Sequence, residues 1–345
     1  MTSERPTEAS LVEMAQGYFR GKVLCAAVRL GIPDALADGA RSLDQLAAAT
    51  GSHADSLYRL LRALASIGVV EEIAPGRFIL MPLGEPLKKD SPKSVWASIV
   101  FWADLLADAW TYLPECVRVG DKSGAAAAME REGVTSRWSR EPQAVAIFHA
   151  VFAEPGADAN APFVAAYDFS RCRVVADLGG AGGGLLAAIL GANSHVRGIL
   201  VDRQEAVDRA AARLGAAGLA ERCQLVAGDL LQSVPSGADV YVMRSVLHGF
   251  CDSDARRILD NCRAAMSPES ALLVIEAVLP ARIDSADRRV ERMLMSDLNM
   301  LAVTGGRERN AAEWTSLLSS AHFEQRRLIS VAGSTLSSIE ALPVA

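Results

Sequence analysis

No Cys-x-x-Cys pair occurs among the six cysteines, Cys25, Cys116, Cys172, Cys223, Cys251 and Cys262. Their scatter argues against a zinc ribbon or a redox dithiol, and with no signal-peptide pattern opening the chain they read as reduced thiols of a cytoplasmic protein. Long apolar runs are missing too. Stretches such as Leu185–Leu190 fall well short of the roughly 20 residues a membrane-spanning helix needs. Positive charge is in deficit: 35 Lys and Arg against 41 Asp and Glu leave a net charge of −6. Nucleic acids are bound by clustered cations that displace counterions, so this balance disfavours them as partners. His53, His149, His195 and His322 show no ligand spacing, and no metal site is expected.

What is present is a chain of 345 residues, half of them hydrophobic and 22% charged. That is the composition of a folded protein, and it is long for a single core, so two units are expected. Residues 11–30 carry apolar side chains at helical spacing and stop at Gly31, Ile32 and Pro33. Ser42 reads as a cap for a short helix ending at Gly51, and a second helix runs from Ala54 to the glycine at 68. Val69–Ile73, a turn at Pro75 and Gly76, and Arg77–Leu80 form a hairpin, which completes the outline of a winged helix. A DNA reader is one interpretation. The second helix, however, offers only Arg59 and Arg62 among Leu57, Leu60, Leu61 and Leu64, which suits packing better than a major groove. From Trp96 to about Phe163 the pattern is helical, and Trp102, Trp110, Trp138, Phe148 and Phe152 are candidates for core or pocket wall.

From Val174 onward short β-branched runs alternate with helical stretches, the pattern of a parallel sheet with crossover helices, whose ligands bind at the carboxyl ends of the strands. Each run ends at or near a polar residue: Asp177, Asp202, Asp229, Arg244 or Glu276. Asp177-Leu-Gly-Gly-Ala-Gly-Gly-Gly follows the first strand and opens a helix, so its glycines let the backbone turn sharply and approach a ligand. A nicotinamide dinucleotide would also use this turn and Asp202. The third acid, Asp229 in Gly228-Asp229-Leu230, favours a cationic, phosphate-free nucleoside instead, and S-adenosyl-L-methionine matches that description.

The segments Tyr167-Asp-Phe-Ser, Asp177-Leu-Gly-Gly, Arg244-Ser-Val-Leu-His248, Ile275-Glu-Ala-Val-Leu-Pro280, Asp297-Leu-Asn-Met-Leu and Gly305-Gly-Arg-Glu-Arg309 resemble the class I S-adenosylmethionine-dependent small-molecule O-methyltransferases of the plant caffeate type and the bacterial polyketide and anthracycline type. The resemblance covers nearly the whole chain. It implies an α/β fold: a Rossmann-like doubly wound domain over 166–345, preceded by an all-α, winged-helix dimerisation domain over 1–105, with 106–165 as a helical linker contributing to the acceptor pocket. It further implies a homodimer, a small aromatic or polyketide acceptor, and neither nucleic acid nor membrane as partner.

Carried over by residue, the resemblance puts Asp177 and Gly179 at the methionine portion of the cofactor, Asp202 on its ribose, Asp229 and Leu230 around the adenine, and Arg244 as a basic contact. His248 falls on the catalytic base, Glu276 and Glu308 on the acids that orient it, and Asn299 and Met300 in the acceptor pocket, to which Phe152 is added as a candidate from the aromatic residues of the helical stretch. A competing reading of Glu308 has it only balancing Arg307 and Arg309. The chemistry is consistent with the former. Methyl transfer is an in-line displacement that depends on alignment, and an imidazole within reach of a phenol can take its proton while a carboxylate fixes the tautomer. This chain departs from its relatives at Ala181, where a third glycine is usual, and at Gly249 and Phe250, where Asp and Trp usually follow the base. Those changes keep open a relative that binds the cofactor without transferring methyl, as well as C- or N-methylation; a metabolite-sensing winged-helix regulator is the distant alternative.

Overall fold

The computed structural model describes residues 8–120, 143, 144, 146, 147, 151, 157–284, 287–331 and 333–344. These fall into two compact units: one holds the residues up to Thr111 and those between Met129 and Phe152, the other holds the rest. Among them no helix is long and apolar enough to cross a membrane, and all six cysteines are free thiols.

The first unit begins with α1 (Glu8–Arg29) and the short α2 (Ile32–Ala35), turned by Gly31 in the left-handed region. Next come β1 (Arg41–Ser42), α3 (Leu43–Thr50), α4 (Ala54–Ser66), β2 (Val70–Ala74) and β3 (Arg77–Leu80). Ser42 and Gln45 cap α3 reciprocally, the side chain of each accepting the other's amide hydrogen, as the sequence predicts. In α4, Leu57, Leu61 and Leu64 recur at helical spacing and are buried, while Arg59 and Arg62 stay exposed. The three strands pair antiparallel in the order β1-β3-β2, which gives the winged helix its wing. Residues 96–111 follow as α5 (Trp96–Val100), a π-helical turn and α6 (Ala107–Thr111).

The second unit contains α7 (Leu113–Val119), α8 (Ala157–Ala165), β4 (Val174–Leu178), α9 (Gly184–Ala192), β5 (Arg197–Asp202), α10 (Gln204–Ala216), β6 (Cys223–Ala227), β7 (Val240–Arg244), α11 (Asp252–Ala265) and β8 (Ala271–Leu279). It closes with α12 (Arg288–Val303), β9 (Arg309–Asn310), α13 (Ala311–Ser320), β10 (Phe323–Ser330) and β11 (Leu336–Pro343). The strand order β10-β11-β8-β7-β4-β5-β6 reverses direction at β4, the switch point beside which such sheets bind ligands. Strands β4 to β8 are parallel, whereas β10 and β11 add an antiparallel edge.

Alternation along the strands explains the two helical layers, since successive residues face opposite sides of a sheet. Ala176, Leu178, Tyr241, Met243, Leu272 and Val274 pack with Ile258, Leu259 and Trp314 from α11 and α13. Their neighbours Val175, Val240, Val242, Leu273 and Ile275 pack with Leu185, Leu186, Ile189 and Ala210 from α9 and α10. Both faces being covered, the chain crosses into solvent mainly at the strand ends, and the polar residues collect there.

Candidate active site

The glycine turn after β4 has little room for side chains. Gly179 has φ +71, and a β-carbon there would lie 2.6 Å from Val246 Cγ2. One added at Gly180 would meet the Asp177 carboxylate at 2.8 Å, and Asp177 itself is only 1% exposed. Ala181 stands in the same turn at φ 46, a conformation that favours glycine. Its amide donates to Asp202 Oδ2 at 2.8 Å, while Arg203 N donates to Oδ1 at 2.7 Å. Asp202, the last residue of β5, therefore ties the glycine turn to the neighbouring strand. Asp229 is exposed two residues beyond β6 and accepts from Leu231 N at 2.9 Å. Leu230 is buried, and its carbonyl is held by Asn261. This edge, a glycine turn flanked by carboxylates on β4, at the end of β5 and just beyond β6, fits a cationic nucleoside such as S-adenosylmethionine.

Arg244 ends β7. It donates to Asn160 Oδ1 at 2.5 Å and lies 5.1 Å from the Phe163 ring, both on α8. Asn160 is fully buried, and nothing in its local sequence marks it. After Arg244 the chain turns through Ser245 at φ 53. The amides that follow then reach the next strand: Val246 N and His248 N donate to Glu276 Oε1 at 2.8 and 3.3 Å. Strain of this kind is worth about 1–3 kcal/mol and persists where the surroundings enforce it.

Three groups predicted as catalytic meet here. His248, in the 3-10 turn Leu247–Gly249, holds Nδ1 2.9 Å from Glu308 Oε1 and 3.9 Å from Glu276 Oε2. Glu276 is 0% and Glu308 3% exposed, and the Oε2 atom of each lacks a hydrogen-bond partner. Burial works against a charged imidazole, but the Glu276 carboxylate and the Glu308 hydrogen bond and charge outweigh it, with Arg309 pulling the other way. The His248 pKa is pushed up to about 9. Burial also raises Glu276, while His248 draws it back down.

Glu308 does not balance its flanking arginines. Arg307 pairs with Asp252 and Glu313, and Arg309 with Asp252. Two partners from α12 hold Glu308 instead: Ser296 Oγ donates to its Oε1 at 2.8 Å, and its own amide donates to Asp297 Oδ1 at 2.8 Å. Buried Asn299 and half-buried Met300 sit one turn beyond Ser296 on the same helix, so the pocket candidates and the acid's support share a helix face. Phe152, the third pocket candidate, lies outside the described residues. Gly249 leaves open space where a side chain would project.

The ligand atoms of His248, Glu276 and Glu308 lie within 4.8 Å of one another, close enough in principle for an ion, and among the described residues this is the one such group. The direct Nδ1 to Oε1 hydrogen bond instead joins two of the prospective ligands to each other, which is the wiring of an oriented base.

A family profile described as the O-methyltransferase domain matches residues 110–324, and one described as the O-methyltransferase dimerisation domain matches residues 12–87. The chain belongs to this O-methyltransferase family. It is 35% identical to a phenazine O-methyltransferase of Lysobacter antibioticus, across 98% of this chain and 97% of that one. It is 36% identical to an O-demethylpuromycin O-methyltransferase of Streptomyces alboniger, across 97% and 89%. A solved mitomycin 7-O-methyltransferase superposes with a TM-score of 0.87 at 33% identity, covering 98% of each chain. An O-methyltransferase from neocarzinostatin biosynthesis, solved with S-adenosylmethionine and a hydroxynaphthoic acid, gives 0.76 at 29% identity over 94% and 96%. Not every relative methylates oxygen: an 8-amino-8-demethylriboflavin N,N-dimethyltransferase of Streptomyces davaonensis is 36% identical over 88% and 86%. This chain is thus an S-adenosylmethionine-dependent methyltransferase with a Rossmann-like catalytic domain and a helical dimerisation domain.

Proposed function

We propose that the enzyme methylates a phenolic hydroxyl of a small aromatic or polyketide metabolite, with His248 as general base and Glu276 and Glu308 as the acids that orient it. The observation that carries this reading is the 2.9 Å hydrogen bond from His248 Nδ1 to Glu308. It commits one ring nitrogen and leaves Nε2 for the acceptor. Asp177, Gly179, Asp202, Asp229 and Leu230 are assigned to hold S-adenosylmethionine, which when bound supplies an electrophilic methyl carbon on a sulfonium. Arg244, held by Asn160, belongs to the same edge, and Asn299 and Met300 to the acceptor pocket.

Magnitudes favour a phenol. Moving a proton from a group of pKa about 10 to an imidazole of ordinary pKa about 6.5 costs about 5 kcal/mol, but to a base of about 9 it costs only about 1 kcal/mol. The same elevation leaves about one ring in a hundred neutral at pH 7. The rate per protein is therefore expected to rise with pH above neutrality, because the neutral ring is the active form. N-methylation is the second reading, favoured by the flavin-analogue dimethyltransferase among the relatives. An aromatic amine is uncharged at neutral pH and needs no base before attack, so loss of His248 would then matter little.

The test is to incubate the protein with S-adenosylmethionine and a panel of phenols, aromatic amines and polyketide aglycones, following S-adenosylhomocysteine release and product mass. Gain of one methylene by phenols, insensitive to EDTA, supports the proposal; gain by amines alone supports the second reading; cofactor binding without any methylated product would sink both. A homodimer is proposed as well. Leu11, Met14, Tyr18 and Phe19 of α1 are more than 60% exposed, an apolar stripe a second copy would cover; a monomer by light scattering would refute it. Six free thiols suit a reducing compartment, and the cytoplasm is the proposed location, to be checked by cell fractionation.

A further inference from the structure

Glu308 reaches His248 from a segment that also grips the histidine's own loop. Gly306 lies so close that a β-carbon there would stand 2.1 Å from the His248 carbonyl oxygen, and Arg307 N donates to that oxygen at 2.9 Å. Arg309 extends the grip. Its side chain is 1% exposed, and its guanidinium donates to the carbonyls of Leu247 and Phe250 at 3.2 and 3.1 Å, on either side of His248. It also makes two hydrogen bonds, of 2.8 and 3.0 Å, to Asp252 Oδ1 at the start of α11.

The opposite side of Arg309 faces the strand that carries Glu276. Its guanidinium lies 5.2 Å from the Trp314 ring, and the Trp314 indole donates to the carbonyl of Ala277 at 3.1 Å. Arg309 is itself paired with Val278 of β8. One buried cation thus links the His248 loop, the Glu276 strand and, as its chain neighbour, Glu308. Packing alone does not call for an arginine here, since an apolar side chain fills a buried site at lower desolvation cost. A fixed planar fork, by contrast, spreads its donors over two carbonyls and a carboxylate at set angles, a geometry that the single ammonium of a lysine does not reproduce.

We propose that Arg309 is a positioning residue for methyl transfer: its guanidinium locks the His248 loop against the Glu276 strand and holds a positive charge beside the imidazole. The inference rests on the reading of His248 as the base. Facing the ring are Glu276 from β8, Glu308 from the 305–309 segment and Arg309 itself, with Asp297 of α12 behind Glu308. The two glutamates favour the protonated ring; Arg309 opposes them. Removing its charge should therefore raise the pH at which His248 becomes neutral.

Full-length Arg309→Lys, Arg309→Met, Asp252→Asn and His248→Ala proteins would be compared with wild type in three measurements. These are S-adenosylhomocysteine affinity by calorimetry, kcat and KM with the best phenol of the panel, and imidazole titration by NMR on ¹⁵N-histidine protein. Arg309→Lys keeps the charge and loses the fork, so kcat should fall about 10-fold at unchanged S-adenosylhomocysteine affinity, with the His248 titration midpoint in place. Arg309→Met should also move that midpoint upward. Asp252→Asn alters a side chain 59% exposed, so it tests the clamp even if Arg309→Met does not fold; it should lower kcat about 3-fold. Wild-type kcat in both Arg309→Lys and Asp252→Asn, or losses of affinity that parallel the losses of kcat, would overturn the proposal. If His248→Ala retains kcat, it is the reading of the base that fails, and this distinguishes the two.

Discussion

The proposed cofactor edge and the His248 cluster are neighbours at the ends of the same sheet, yet they are built on opposite plans. At the edge the carboxylates accept from backbone amides: Asp202 from Ala181, 21 positions away, and from its own neighbour Arg203, and Asp229 from Leu231. In the cluster, side chains from three segments meet. His248 lies 60 positions from Glu308 and 28 from Glu276, and two carboxylate oxygens stay buried without a hydrogen bond. An edge made of backbone answers to shape, whereas a cluster made of charge answers to protonation. Substitutions should therefore divide into those that move cofactor affinity and those that move kcat.

The largest departure from that division is expected at Glu276. Glu276→Leu leaves the amides of Val246 and His248 without their acceptor, at about 1–3 kcal/mol for each buried donor. Both kcat and melting temperature should fall, kcat by about 10²-fold or more; an unchanged melting temperature would mean the amides find other partners. Gly179→Ala comes next and tests where the two regions touch. Its β-carbon would crowd Val246, whose amide anchors Glu276, and its φ would be strained at about 1–3 kcal/mol. S-adenosylhomocysteine affinity should drop about 10- to 100-fold, with kcat impaired as well.

Glu308→Gln should act on the cluster alone. Both the hydrogen-bonded charge and the coulombic attraction that raise the His248 pKa are lost, so the acid limb of kcat/KM should move down from about 9 toward the ordinary imidazole value of about 6.5. The sign is definite: the variant becomes relatively better at low pH while kcat falls about 10-fold for want of an oriented tautomer. Ala181→Gly should have the smallest effect. It relieves a non-glycine residue at φ 46, worth about 1 kcal/mol after the extra freedom of the unfolded glycine is counted, and a rise of a few degrees in melting temperature would show it.

The same contrast explains what could be read in advance. The glycine turn, Asp202 and Asp229 were legible because each sits within a few residues of a strand end and strands announce themselves by composition. Ser42 was legible as a cap for the same local reason. His248, Glu276 and Glu308 could be joined only through resemblance, since no spacing rule links positions so far apart. Ser296, Asn160 and Arg309 were missed: their partners are carbonyls and carboxylates brought up by the fold, and an arginine in Gly-Arg-Glu-Arg reads on its own as surface charge. The antiparallel edge of β10 and β11 also went unread, because a half-exposed hairpin lacks the apolar runs that mark the inner strands.

The most direct test of the account pairs His248→Ala with Asp202→Ala, measuring kcat on a phenol acceptor and S-adenosylhomocysteine affinity in the same preparations. His248→Ala should lose about 10²- to 10⁴-fold in kcat at unchanged affinity, and Asp202→Ala should lose affinity while keeping most of its kcat at saturating cofactor. A His248→Ala protein that retains kcat, or one that loses affinity in step with it, would contradict the assignment of the base.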